Sequence, residues 1–127
     1  MGVEVNLLDR YPRSKRPIEE RGKLVLEEHR AVAREFGKEY FDGERLYGYG
    51  GYSYHPRFWQ ETVKRFRDHY GLNEAGSVLD VGCAKGFMLH DLHELMPNLK
   101  IEGIDISPYA IENAIETVKP FLRVGDA

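Results

Sequence analysis

Only one cysteine, Cys83, occurs among the 127 residues, so the chain offers neither an internal disulfide nor a multi-cysteine zinc site. Long hydrophobic runs are missing too, and no stretch approaches the roughly 20 apolar residues that span a bilayer. The N-terminus lacks the cationic start and apolar segment of a secretory signal. There is no excess of one charge: 18 Lys and Arg stand against 21 Asp and Glu, a formal net of −3. A nucleic-acid or polybasic membrane binder would carry a basic footprint, and the only basic run here is RYPRSKR at residues 10–16. Near a terminus such a run reads as a solvated, poorly ordered stretch. The five histidines are scattered; His90 and His93 share one helical face but have no third ligand, so no metal site is expected. These absences predict a cytoplasmic protein with no nucleic-acid and no membrane partner.

Turning to what is present, residues 1–18 are polar and broken by Pro12 and Pro17, and read as an irregular arm. Residues 19–72 form a helical extension around a tyrosine- and glycine-rich loop. Val25, Val32 and Phe36 fall at i, i+7 and i+11, which predicts a helix over 19–40. Gly43, Gly48, Gly50 and Gly51 then alternate with aromatics, a composition that reads as a loop. Pro56 can open a second helix whose stripe is Trp59, Val63, Phe66 and Tyr70, with Gly71 as its stop.

From residue 76 the rhythm changes to strand, helix, strand, helix, strand. Residues 77–81, 101–106 and 121–124 are expected strands, the first of them buried. Residues 87–96 and 108–118 are expected helices, the second entered through Ser107 and Pro108. The alternation is that of right-handed βαβ crossovers and a parallel sheet.

Ligands of open parallel sheets bind outside the carboxyl ends of the strands. That rule selects three places, and each carries an acid: Asp80 with the turn at 82–86, Asp105 with Ile106, and Asp126 with Ala127. A strand that runs into a glycine turn and a new helix should leave backbone N–H groups pointing outward, and Gly82 lets a ligand approach the main chain. Dinucleotide sites want G-x-G-x-x-G, but the corresponding positions here are Gly82, Ala84 and Phe87, so two of the three fail.

The run Asp80, Val81, Gly82, Cys83, Ala84, Lys85, Gly86 instead resembles the D-x-G-C-G-x-G motif of class I S-adenosylmethionine-dependent methyltransferases. The resemblance covers residues 76–127 and implies a Rossmann-like α/β fold with strand order 3-2-1. It implies S-adenosyl-L-methionine as cofactor, held by Asp80, Gly82, Cys83, Ala84 and Gly86 at the first turn. By the same resemblance Asp105 binds the cofactor ribose, Ile106 packs on the adenine, and Asp126 and Ala127 meet the adenine edge. Ala84 departs from the family's middle glycine, a change expected to be tolerated if its φ is negative. Lys85 brings a cation to a helix N-terminus and reads as a solvent-pointing chain; Cys83 reads as a small buried residue.

Small-molecule methyltransferases commonly carry an N-terminal lid, and residues 46–54 resemble one, with Tyr47, Tyr49 or Tyr52 able to place a hydroxyl near the cofactor's carboxylate. The alternative is that these aromatics wedge the extension onto the sheet domain. The resemblance implies methyl transfer to a small-molecule acceptor, and no catalytic residue is assigned. The family's sheet continues beyond three strands in the order 3-2-1-4-5-7-6, so the expectation is the N-terminal part of a longer enzyme, truncated after the third strand and inactive alone. Its first strand should have an exposed edge prone to self-association. A non-catalytic cofactor-binding module remains the main alternative, and a nucleotide-dependent oxidoreductase a weaker one.

Overall fold

The computed structural model describes residues 2–13 and 25–127. In chain order the elements are α1 (Glu27–Ala33), α2 (Lys38–Asp42), α3 (Pro56–Tyr70), β1 (Ser77–Val81), α4 (Phe87–Leu95), β2 (Lys100–Asp105), α5 (Pro108–Glu112) and β3 (Leu122–Val124). Short 3-10 turns occupy Arg45–Tyr47 and Lys119–Phe121.

The three strands form one parallel sheet in the order 3-2-1. Val78 lies opposite Ile101, Asp80 opposite Gly103, and Asp105 opposite Val124. This is a Rossmann-like α/β arrangement. β3 starts later than expected because residues 119–121 tighten into a 3-10 turn, with the N–H of Phe121 donating to Val118.

Burial follows from this register. Val78, Ile101 and Leu122 join one core with Leu89 and Leu92 of α4 and Val63 of α3, where Leu89 is 0% and Val63 1% exposed. Gly103 must be glycine here, because a Cβ would come within 2.9 Å of Cys83 Sγ and of Leu89. The opposite sheet face is bare at β1, where Leu79 and Val81 are 52% and 55% exposed. The expectation of a buried first strand therefore fails. Burial on both faces needs a layer on each side, and β1 shows alternation instead.

α3 matches its expected bounds. His55 accepts from the N–H of Arg57 at the entry, Pro56 is the first helical residue, and Gly71 closes the helix through its N–H to Arg67. α4 stops at Leu95, ahead of Pro97.

α5 does not run to 118 as its periodicity predicts. It ends at Glu112, Asn113 bonds back to the carbonyl of Tyr109, and the N–H of Ile115 donates to the carbonyl of Lys85 at 3.0 Å. A tertiary acceptor thus replaces the helical one. Ala114 and Val118 are still buried, so the apolar stripe survives without the helix.

The helix expected over 19–40 is also divided. Its first part, 19–24, lies outside the described residues; the rest breaks between α1 and α2 at Phe36, whose φ of 51° is left-handed. A bulky residue resists that conformation. Here the Phe36 carbonyl is tied down by the Ser107 hydroxyl, which also caps α5 by accepting from Ala110 at 3.0 Å. Val32 and Phe36 are not core residues; Phe41, 3% exposed, is the buried one.

The described part of the arm docks onto α3 rather than standing free. Tyr11 packs on Phe58 and Trp59 with ring centroids 5.5 and 5.0 Å away, and Asp9 pairs with Arg65 at 3.4 Å. Residues 14–16 of the basic run lie outside the described residues.

Candidate functional site

The carboxyl ends of β1 and β2 meet in a cleft of about 190 Å³. Its floor is Gly82, Ala84, Asp105 and Ile106, and its far wall is aromatic: Phe36, Tyr40, Phe41 and Tyr49. Two segments far apart in sequence are thereby placed across one space.

The turn at 82–86 is held tightly. Gly82 and Cys83 both donate to the carbonyl of Ile104, at 2.8 and 3.0 Å, and Gly86 donates to Cys83. Ala84 donates to Asp105 Oδ2 at 2.8 Å. The amides expected to point outward are turned into the protein, because β2 and its terminal carboxylate supply nearer acceptors. Gly82 has φ 81°, and a Cβ built on it would meet nothing within 4 Å, so the space above it is open to a ligand.

Ala84 has φ 51°, so the negative φ assumed for its tolerance is not what the turn adopts. A left-handed non-glycine residue costs about 1–2 kcal/mol, and the bond to Asp105 offsets part of this.

Asp105 bridges the two loops. Its Oδ1 accepts from Ser107 at 2.9 Å while Oδ2 accepts from Ala84. A carboxylate has about four acceptor positions, so it retains capacity for a ligand. Ile106 is 56% exposed at the rim. Asp80, in β1, is not among the residues that line the cleft, and burial, followed by the Asp105 charge, pushes its carboxyl up to about 6. Cys83 is 5% exposed, and burial with both acids pushes its thiol up to about 12, so it stays a protonated, inert group. Asp126 and Ala127 are exposed and do not line the cleft; Gly125 is tied to the carbonyl of Asp105 at 2.9 Å.

Lys85 is not solvent-pointing. Only 7% exposed, it places Nζ 2.7 Å from Asp42 Oδ2 and 2.7 Å from the carbonyl of Tyr52. Asp42 also accepts from Tyr109 at 2.5 Å and from the N–H of Tyr52 at 2.9 Å. Burial alone would raise the Asp42 pKa, but the bonds from Lys85, Tyr109 and Tyr52 outweigh it and hold the carboxyl below its usual range. This network clamps the tyrosine-glycine loop to the first turn. No local pattern announces it, because the partners are 43 residues apart.

The loop aromatics divide their work. Tyr49 stacks on Phe41 at 5.9 Å and faces the cleft. Tyr52 stacks on Phe87 at 4.8 Å, and Tyr54 donates to Asp91 at 2.5 Å, so these two wedge the loop onto α4. Tyr47 lies apart from the cleft, edge-on to His29 at 5.3 Å. The residues that sequence reasoning missed are Phe36, Tyr40, Phe41, Asp42 and Lys85. Tyr40, whose hydroxyl burial and Tyr49 push up to about 12, stays neutral at the cleft wall.

Residues 72–121 match a family model described as a methyltransferase domain. No curated protein and no solved structure matches the chain.

Proposed function

We propose, from the match of residues 72–121 to a methyltransferase-domain family model, that the chain binds S-adenosyl-L-methionine in this cleft and serves methyl transfer to a small-molecule acceptor. The observation that carries the reading is the meeting of Gly82, Ala84, Asp105 and Ile106 around one space beneath an aromatic wall.

The residues present suit such a cofactor. Asp105, with acceptor capacity left after its bonds from Ala84 and Ser107, gives the cleft an electronegative end that a sulfonium or ammonium group would relieve. The open space over Gly82 admits an atom against the main chain. Asp105 would hold the ribose and exposed Ile106 the adenine face. Ligand sites usually run from about 300 Å³ upward, so the cleft takes the central part of the molecule and leaves the remainder near the exposed 125–127 segment. The cofactor would supply an already activated methyl group, so the chain's part is alignment and exclusion of water. Tyr40, Phe41 and Tyr49 would provide that cover, held in place by Asp42 and Lys85.

The outer edge of β1 is the proposed self-association surface for a second copy. Among the described residues β1 pairs only with β2, and Leu79 and Val81 lie exposed beside that edge.

Calorimetric titration of S-adenosylmethionine into wild type and Asp105→Asn tests the cofactor site. A hydrogen bond to a charged group is worth about 1.5–3 kcal/mol, so the variant should bind roughly tenfold to a hundredfold more weakly. An affinity within about twofold of wild type, with melting unchanged, removes Asp105 from the site.

A further inference from the structure

Tyr49 belongs to two cavities. Besides the cleft it lines a second, larger space of about 290 Å³. Six aromatic residues surround that space: Tyr11 from the arm, Tyr49 and Tyr52 from the loop, Phe58 and Trp59 from α3, and Phe87 from the start of α4. Ser53 and His55 add polar atoms, and among the described residues no Asp, Glu, Lys or Arg lines it. His55 accepts from the N–H of Arg57 through Nδ1 at 3.1 Å, so the neutral ring carries its proton on Nε2, a donor.

We propose that this cavity binds an uncharged, planar aromatic ring carrying a hydroxyl, and that the ring belongs to the methyl acceptor. Ring binding stands on the cavity alone; its assignment to the acceptor rests on the methyltransferase reading, through the shared Tyr49 wall.

The walls select for ring and charge separately. Aromatic rings attract one another in offset or edge-to-face pairs, which a flat ligand can join and a puckered one cannot. An aromatic enclosure can also recognise an organic cation, but two of these faces are already taken by the protein's own cations. The Arg57 guanidinium lies 4.7 Å from the Phe58 ring centroid, and Lys85 Nζ lies 5.8 Å from that of Tyr52. A cationic ligand would face the Arg57 guanidinium, with no Asp or Glu among the described lining residues to compensate. An anion would meet the electron-rich faces of these rings, with no Lys or Arg among the described lining residues. A neutral ring meets neither problem, and its hydroxyl can bond Ser53 or His55.

Trp59 is the only tryptophan of the chain, so its emission reports on this cavity. The probes are 4-ethylphenol, 4-ethylcyclohexanol and tetramethylammonium. The phenol should give a saturable change in Trp59 emission and bind at least about fivefold more tightly than the saturated alcohol; tetramethylammonium should give none. Ser53→Phe, at an exposed rim position, should abolish the phenol response and leave S-adenosylmethionine binding intact. Equal binding of ring and saturated alcohol, saturable tetramethylammonium binding, or an unaltered response in a folded Ser53→Phe protein each overturns the proposal. The wild-type selectivity decides the matter if that variant does not fold. A wild-type protein that binds the cofactor but gives no phenol response defeats this inference alone. Phenol binding without cofactor binding defeats the methyltransferase reading and leaves the ring site standing.

Discussion

Removing either partner of the Lys85–Asp42 pair should loosen the aromatic wall from the first turn. The side chains are 9% and 25% exposed, and the Nζ to Oδ2 distance is 2.7 Å. Breaking a buried ion pair from one side costs about 3–5 kcal/mol, because the other charge is left without a partner. The two ends are not equivalent. Asp42→Ala strands the enclosed Lys85 ammonium and strips acceptors from Tyr109 and the Tyr52 amide, so a loss of about 4 kcal/mol is expected. Lys85→Met leaves a carboxylate with two donors and some water, and about 2 kcal/mol is expected. The double variant should lose less than the sum, with a coupling of about 1.5 kcal/mol or more. Urea unfolding measures all three, and each kcal/mol should lower the melting temperature by roughly 4 °C. Because the Asp42 pKa is lowered, its contribution is present above the usual carboxylate range and fades as pH falls below about 4. An Asp42→Ala loss below about 1 kcal/mol, or strict additivity in the double variant, would refute the clamp.

Ala84→Gly should stabilise the chain by about 0.5–1 kcal/mol, since the left-handed penalty exceeds the added chain entropy of glycine; a lower urea midpoint would contradict this. Asp80 has a raised pKa, so the folded state binds its proton more tightly than the unfolded state does, and stability should fall as pH rises from its ordinary value of 3.8 through about 6. Asp80→Asn should flatten that window and raise stability at pH 7 by about 1–2 kcal/mol after allowance for solvent screening. Sedimentation at low micromolar concentration should show association, and Leu79→Lys should reduce it; a wild-type monomer would remove the β1 edge as a contact surface.

The sheet was legible because short apolar runs, glycine turns and a Ser107–Pro108 helix entry are local signals. The acids at the ends of β1 and β2 were legible for the same reason, from their order and the turn beside them. What escaped was tertiary. α5 stops at Glu112 instead of running to 118, with Ile115 donating to the carbonyl of Lys85, and the helix expected over 19–40 breaks at Phe36, whose carbonyl is engaged by Ser107. Lys85 looked like a surface cation because its partner lies far upstream. The inward turn of the 82–86 amides is not legible in the sequence, which does not show that Ile104 and Asp105 accept from them.

Centrally, the cleft at the carboxyl ends of β1 and β2 should hold S-adenosylmethionine rather than a dinucleotide. Calorimetric titration of the unaltered chain with S-adenosylmethionine and, separately, with NAD tests it most directly. The account predicts saturable one-to-one binding of the former and no detectable heat from the latter. Absence of S-adenosylmethionine binding to the folded chain, or equal affinity for both, would contradict it.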